Sequence, residues 1–186
     1  MNSDHMQVCA SDEWRAMVQD QIMPWALGET ELGDDVLEVG PGFGVTTDVL
    51  RANIARITAV EINVDLATRL AERLADTNVE VVHGDATELP YESSRFSGAA
   101  SFSMLHHVPS ADLQDRLFAE VARVLRPGGV FVAADSVDSP DLRAFHHDDI
   151  YVPIDPARVG ARLEANGFVE VEVRDNPFGW AAIARS

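Results

Sequence analysis

From residue 35 onward, short apolar runs alternate with stretches whose apolar residues recur every three or four positions. Val36-Leu37-Glu38-Val39, Arg56 to Val60, Val79 to Val82, Gly98 to Phe102 and Val130 to Ala134 read as strands. Between them lie a helix near 45–53, one marked by Leu66, Ala67, Leu70, Ala71 and Leu74, and one marked by Leu113, Leu117, Val121 and Val124. Ser110 caps the last of these and Pro127-Gly128-Gly129 stops it. Strands that alternate with helices are joined by right-handed crossovers into a parallel, doubly wound sheet, which binds ligands beyond its C-terminal strand ends. The end of the chain departs from this rhythm. Asp155-Pro156 opens a helix that Asn166-Gly167 closes, and then Val169 to Val173 alternates strictly. Trp180 to Ala184 follows across the turn Asp175-Asn176-Pro177. Two strands joined so tightly must pair antiparallel.

Before the first strand, Trp14, Met17, Val18, Ile22 and Trp25 fall on one helical face, interrupted by Gln21. Ser11 caps this helix, Pro24 kinks its last turn and Gly28 ends it. The stripe reads as core, with a lid over the ligand as the alternative. Residues 1–10 read as a frayed end. The chain thus divides into an N-terminal helical extension, 1–32, and a ligand-binding domain, 33–186.

The bulk charge excludes several partners. Acidic residues number 31 against 14 basic ones, all of them Arg, for a net charge of -17. Such a field repels phosphate backbones and anionic membrane surfaces, so nucleic acid and membrane are disfavoured. Cys9 is the single cysteine, and no Cys/His spacing suggests zinc. No apolar stretch approaches a membrane span and the start is no signal peptide, which together predict a reducing, cytoplasmic compartment.

The candidate site begins at Gly40-Pro41-Gly42-Phe43-Gly44, between the first strand and its helix. Glycines there let backbone N–H groups approach a ligand closely, although a tight strand-to-helix turn would use them too. A dinucleotide fingerprint would need glycine at position 45, which is Val45. Glu38, just before the loop, suits an ammonium group better than a pyrophosphate. Glu61 ends the second strand, where a carboxylate can accept both hydroxyls of a ribose. Asp85, after the third strand, is a turn former in isolation and an adenine-reading acceptor in the series Glu38, Glu61, Asp85.

Five segments in order carry a resemblance. Val36-Leu37-Glu38-Val39-Gly40-Pro41-Gly42-Phe43-Gly44 resembles motif I of class I S-adenosylmethionine-dependent methyltransferases. Glu61 is similar to their ribose-binding acid, and Gly84-Asp85-Ala86 to their adenine-binding motif. Phe102 to Val108 is similar to their segment after strand four, and Leu125-Arg126-Pro127-Gly128-Gly129-Val130 to their entry into strand five. The likeness runs from about residue 33 to 184 and is nearest the branch called methyltransferase type 11.

This resemblance implies an α/β, doubly wound Rossmann-like sheet of order 3-2-1-4-5-7-6 with strand 7 antiparallel. It implies S-adenosylmethionine as cofactor, S-adenosylhomocysteine as product, and in-line methyl displacement. Glu38 would orient the loop and approach the methionine ammonium through water, with Gly40 and Gly42 giving close backbone contact with the methionine part and Gly44 completing the cofactor-binding loop. Glu61 would hold the ribose, Ile62 would pack on adenine, Asp85 and Ala86 would bind its edge, and the Phe102 main chain would accept from the ammonium. No catalytic residue is assigned: His106 or His107 could serve as base, but the matching family histidine often braces the loop.

His146-His147-Asp148-Asp149 has metal-ligand types. Adjacent side chains rarely point the same way, so a solvated loop lining the acceptor site is expected and no metal. Without a large insertion after strand four or five, the acceptor pocket must come from the N-terminal helix, residues 103–110 and residues 136–155, or be completed by a second subunit of a homodimer. A small-molecule acceptor is expected. A non-catalytic binding module and a NAD(P)-dependent oxidoreductase are the rival readings.

Overall fold

The alternating pattern folds as one sheet in the computed structural model, which describes residues 2–186. Its strands are β1 Asp35–Val39, β2 Arg56–Glu61, β3 Val79–His83, β4 Phe96–Phe102, β5 Leu125–Ser136, β6 Val169–Asp175 and β7 Gly179–Arg185. They lie in the order β3-β2-β1-β4-β5-β7-β6. β1 to β5 run parallel, and β7 pairs antiparallel with both β5 and β6. Order and closing hairpin are as the resemblance implied.

Eight α-helices accompany the sheet among the described residues: α1 Ser3–Cys9, α2 Asp12–Met17, α3 Met23–Leu27, α4 Val45–Leu50, α5 Val64–Arg73, α6 Ala111–Val124, α7 Pro140–Phe145 and α8 Pro156–Ala165. Successive strand residues face opposite sides, so each face of β1 needs its own helical layer. Leu37 and Val39 pack with Leu117 and Val121 of α6 and Val159 and Leu163 of α8. Val36 packs with Val18, Met23 and Ala26 of the N-terminal segment and Leu50 of α4. Glycine is required in β4 at Gly98, where an added Cβ would collide with the Leu32 carbonyl. At the N-terminal end of β1, the buried carboxylate of Asp35 is paired with Arg56, Arg95 and Arg126.

Four expectations need correction. Residues 3–9 are helical rather than frayed, because Asn2 accepts the His5 N–H and donates to the Phe145 and His147 carbonyls, both at 2.9 Å. These partners are remote in sequence, so local pattern could not reveal them. The stripe around Trp14 is not one continuous α-helix, because it slips into a π-turn over Val18–Ile22, with Met23 N–H bonded to the Val18 carbonyl. α6 stops at Val124, ahead of Pro127-Gly128-Gly129, and those residues fall within β5, where Gly128 takes φ 76° and the register with β4 shifts. The strict alternation of β6 is broken by a bulge: Glu170 has φ 50° and the register slips between Val169 and Glu172. Val169 is therefore exposed and Val171 packs on the core.

Candidate functional site

β1, β2 and β3 are neighbours, so the turns after them open side by side on one cavity of about 360 Å³. After β1, Gly40 N–H donates to the Val60 carbonyl at 2.9 Å and Gly44 N–H to the Pro41 carbonyl at 2.8 Å. Gly40, Gly42 and Gly44 adopt φ of 68°, 55° and 78°, where a side chain is strained. Their surroundings differ. A Cβ on Gly40 would press into Met104 and one on Gly44 into Leu70 and Arg73, whereas one on Gly42 would meet nothing within 4 Å. Gly42 is thus the bare spot facing the cavity.

Glu61 joins two turns. Its Oε2 accepts the Gly42 N–H and its Oε1 the Asn63 N–H, both at 2.9 Å. It is 6% exposed, and each oxygen retains a lone pair for a further donor. Beside it on the wall Ile62 is 66% exposed, an unusual position for so large an apolar side chain. Asp85 Oδ1 accepts the Thr87 N–H at 2.8 Å and shapes the turn after β3.

Gly40, Gly42, Glu61, Ile62, Asp85, Ala86 and Phe102 all line the cavity, but Glu38 and Gly44 stand behind the loop. Glu38 is 1% exposed and accepts the hydroxyl of Thr46, which does reach the wall. Its other oxygen is buried near the Thr47 hydroxyl without a hydrogen bond of good geometry. Burial pushes this carboxyl up to about 7, against the pull of the threonine hydroxyls.

The facing wall is apolar: Cys9, Trp14, Val18 and Ile22 come from the N-terminal helices, Met104 and Val108 from the segment after β4. The core reading of the Trp14 stripe holds for Val18, which also lines the cavity. Burial pushes the Cys9 thiol up to about 11, which keeps it un-ionised. Ser103, His107, Pro109, Asp149 and Ile150 complete the lining.

The segment 146–149 is not a solvated loop. His146 is 5% exposed and the Asp149 side chain 6%, while His147 and Asp148 between them face solvent. His146 gathers with His5, His106 and His107. His106 is anchored by Asp135, which accepts the His106 N–H at 3.0 Å and its Nδ1 at 2.6 Å. Burial would lower the His106 pKa, but the Asp135 carboxylate outweighs it and raises it.

Sequence reasoning missed Asn63, Ser103, His5 and Asp135. Asp135 is the penultimate residue of β5, as Glu61 is the last of β2, so an acid near a strand end was a usable signal. Ser103, on the wall with φ 53°, has no sequence signature, because its strain is imposed by Ser103 N–H bonding the Ala134 carbonyl at 2.8 Å.

Known proteins supply a second line of observation. A family model described as a methyltransferase domain matches residues 37–133. The 24-methylenesterol C-methyltransferase 2 of Arabidopsis thaliana is 33% identical over 128 residues, covering 66% of this chain and 34% of that enzyme. Ribosomal RNA small subunit methyltransferase A of Deinococcus radiodurans is 46% identical over 59 residues, covering 32% and 20%. The chain therefore spans well under two thirds of these curated relatives. Among solved structures, an S-adenosylmethionine dependent methyltransferase from Mesorhizobium loti superposes with a TM-score of 0.73 at 18% identity, covering 90% of this chain and 100% of that one.

Proposed function

The chain belongs to the class I S-adenosylmethionine-dependent methyltransferases, and from that premise we propose that it methylates a small molecule with an apolar body. The observation that carries this reading is a single cavity with two unlike walls. One wall is made of bare backbone and acids on adjacent strand ends, and the other of Trp14, Val18, Ile22 and Met104.

The residues fit the cofactor. Gly42 offers unobstructed backbone, and Ile62 presents an uncovered apolar face suited to a purine. Glu61, already fixed by two N–H donors, has the remaining lone pairs to accept two ribose hydroxyls. Asp85, Ala86 and Phe102 line the same cavity, which supports assigning the first two to the adenine edge and the Phe102 main chain to the ammonium. Glu38 acts through Thr46, holding the loop rather than touching the ligand.

When bound, the sulfonium supplies an already activated methyl group. What remains for the chain is positioning and exclusion of water, and the apolar wall provides the latter. His107 lines the same cavity, and burial, followed by its histidine neighbours, lowers its pKa to about 3. It would be a poor base at neutral pH, which favours acceptors that need no prior deprotonation. The net charge of -17 disfavours nucleic acid as acceptor.

Calorimetric titration is the first test: S-adenosylhomocysteine should bind and NADH should not, and the reverse would sink the cofactor assignment. The second is transfer of labelled methyl from the donor to a panel of sterols, fatty acids, quinones and ribosomal RNA. Label in a lipid or quinone supports the reading. Label in RNA overturns the acceptor class, and saturable binding without transfer would mark a binding module instead.

A further inference from the structure

Four imidazoles from three remote segments meet beside the cavity. His5 comes from α1, His106 and His107 from the 3-10 turn Leu105–His107, and His146 from the end of α7. One ring nitrogen from each lies within 4.8 Å of those of the others. Their orientation is the informative part. His106 Nδ1 is 2.6 Å from Asp135 Oδ1, His107 Nδ1 3.1 Å from the Ile150 carbonyl, and His146 Nδ1 2.7 Å from the Leu142 carbonyl. His5 Nδ1 is 3.2 Å from Asp149 Oδ2. Carbonyls and carboxylates accept, so each Nδ1 carries the proton and each Nε2 carries a lone pair. The Nε2 atoms of His106, His107 and His146 are buried and make no hydrogen bond. Three buried acceptors gathered in one cluster with nothing to accept from are costly unless something shared satisfies them.

The geometry points to a divalent transition-metal site of the zinc type, ligated by His5, His106, His107 and His146. Imidazole nitrogens suit such ions, and the carboxylate or carbonyl behind each ring is the arrangement that fixes metal-binding histidines. The two carboxylates Asp135 and Asp149 balance a double positive charge. Metal–nitrogen bonds of 2.0–2.1 Å place tetrahedral ligands about 3.4 Å apart, so the rings would close by about an ångström around the ion. Four protein ligands fill a tetrahedron, which makes the ion a staple rather than a Lewis acid. It would fasten α1 to the segment after β4 and to the loop after α7, closing the apolar end of the cavity. That role is independent of which acceptor is methylated.

The test uses the full chain stripped with a chelator and titrated with Co2+ and Zn2+. Co2+ should bind at one equivalent with the visible bands of a tetrahedral nitrogen site, and Zn2+ should displace it. At 100-fold excess over its Kd, Zn2+ should raise the thermal midpoint by about 5–10 °C. His107→Ala and His146→Ala should each weaken binding on the order of 100-fold, while His147→Ala, next in sequence but exposed, should bind as wild type. Should His146→Ala not fold, His146→Asn keeps a donor toward the Leu142 carbonyl and removes Nε2. A wild-type chain that leaves the cobalt spectrum unchanged overturns the site, as does a folded ligand variant with unaltered affinity. S-adenosylhomocysteine binding by the stripped chain is scored separately, so the cofactor reading can fail without this one.

Discussion

Replacing Glu61 with glutamine tests the ribose assignment at the atom that carries it. The carboxylate already accepts from Gly42 and Asn63 at 2.9 Å on each oxygen. Glutamine keeps one acceptor and sets an NH2 group against one of those N–H donors. Two charge-assisted bonds to ribose hydroxyls, about 1.5–3 kcal/mol each, become at most one neutral bond of about 1 kcal/mol. The net loss is about 3 kcal/mol, or on the order of 100-fold in Kd. Stability should also fall by about 1–2 kcal/mol, because a backbone N–H loses its partner.

Calorimetry with S-adenosylhomocysteine and with 5′-methylthioadenosine reads this directly. Both keep the ribose and only the first has the amino-acid part, so both should weaken by the same factor. A 2′-deoxy analogue closes the cycle: it should bind wild type far more weakly, yet lose little further in Glu61→Gln. Additive losses, or a loss confined to S-adenosylhomocysteine, would refute the pairing of Glu61 with the ribose.

Other variants probe the rest of the argument. Gly42→Val has room for its Cβ, which meets nothing within 4 Å, but at φ 55° it should cost about 1–3 kcal/mol of stability and, in the folded fraction, weaken S-adenosylhomocysteine at least 10-fold by filling the cavity; unchanged affinity in calorimetry would misplace the loop. Asp85→Ala should weaken the same ligand through the lost adenine contact while adenine-free homocysteine derivatives bind as before. Asp35→Asn, at the opposite end of β1, should cost about 2 kcal/mol and lower the thermal midpoint by about 4–8 °C, discounted for its solvent-exposed arginines, with cofactor affinity intact. Glu38 binds its proton more tightly folded, near 7, than unfolded, near 4.5, so its contribution is full below pH 4.5 and lost as pH rises to 7. Relative to wild type, Glu38→Gln should therefore gain about 3 kcal/mol between pH 4.5 and pH 8 in denaturant titrations, and parallel profiles would contradict the buried carboxyl.

Much of this molecule was legible in the chain. Apolar runs at strand spacing, helical stripes between them and an acid at each of three strand ends were enough to place the sheet, the glycine loop and most of the cavity wall. That information is local: a strand's periodicity and a turn's glycine are set by the residues themselves and their immediate neighbours. Gly40 and Gly44 were legible as glycines, but only the packed structure distinguished them, as positions pressed on Met104 and Leu70, from Gly42, which is open.

Tertiary structure alone decided the rest, for reasons of distance along the chain. α1 is tied down by Asn2 reaching Phe145 and His147, and the bulge of β6 at Glu170 shows only in its pairing with β7. His146 looked like one of four polar neighbours in a loop. Burial separated it from His147 and set it against His5 and His106, which no spacing rule connects. Local periodicity could specify the glycine-loop end of the cavity, since its residues follow their own strands, but the apolar end, lined by Trp14, Val18, Met104 and Ile150, is assembled from segments that meet only when the chain is folded.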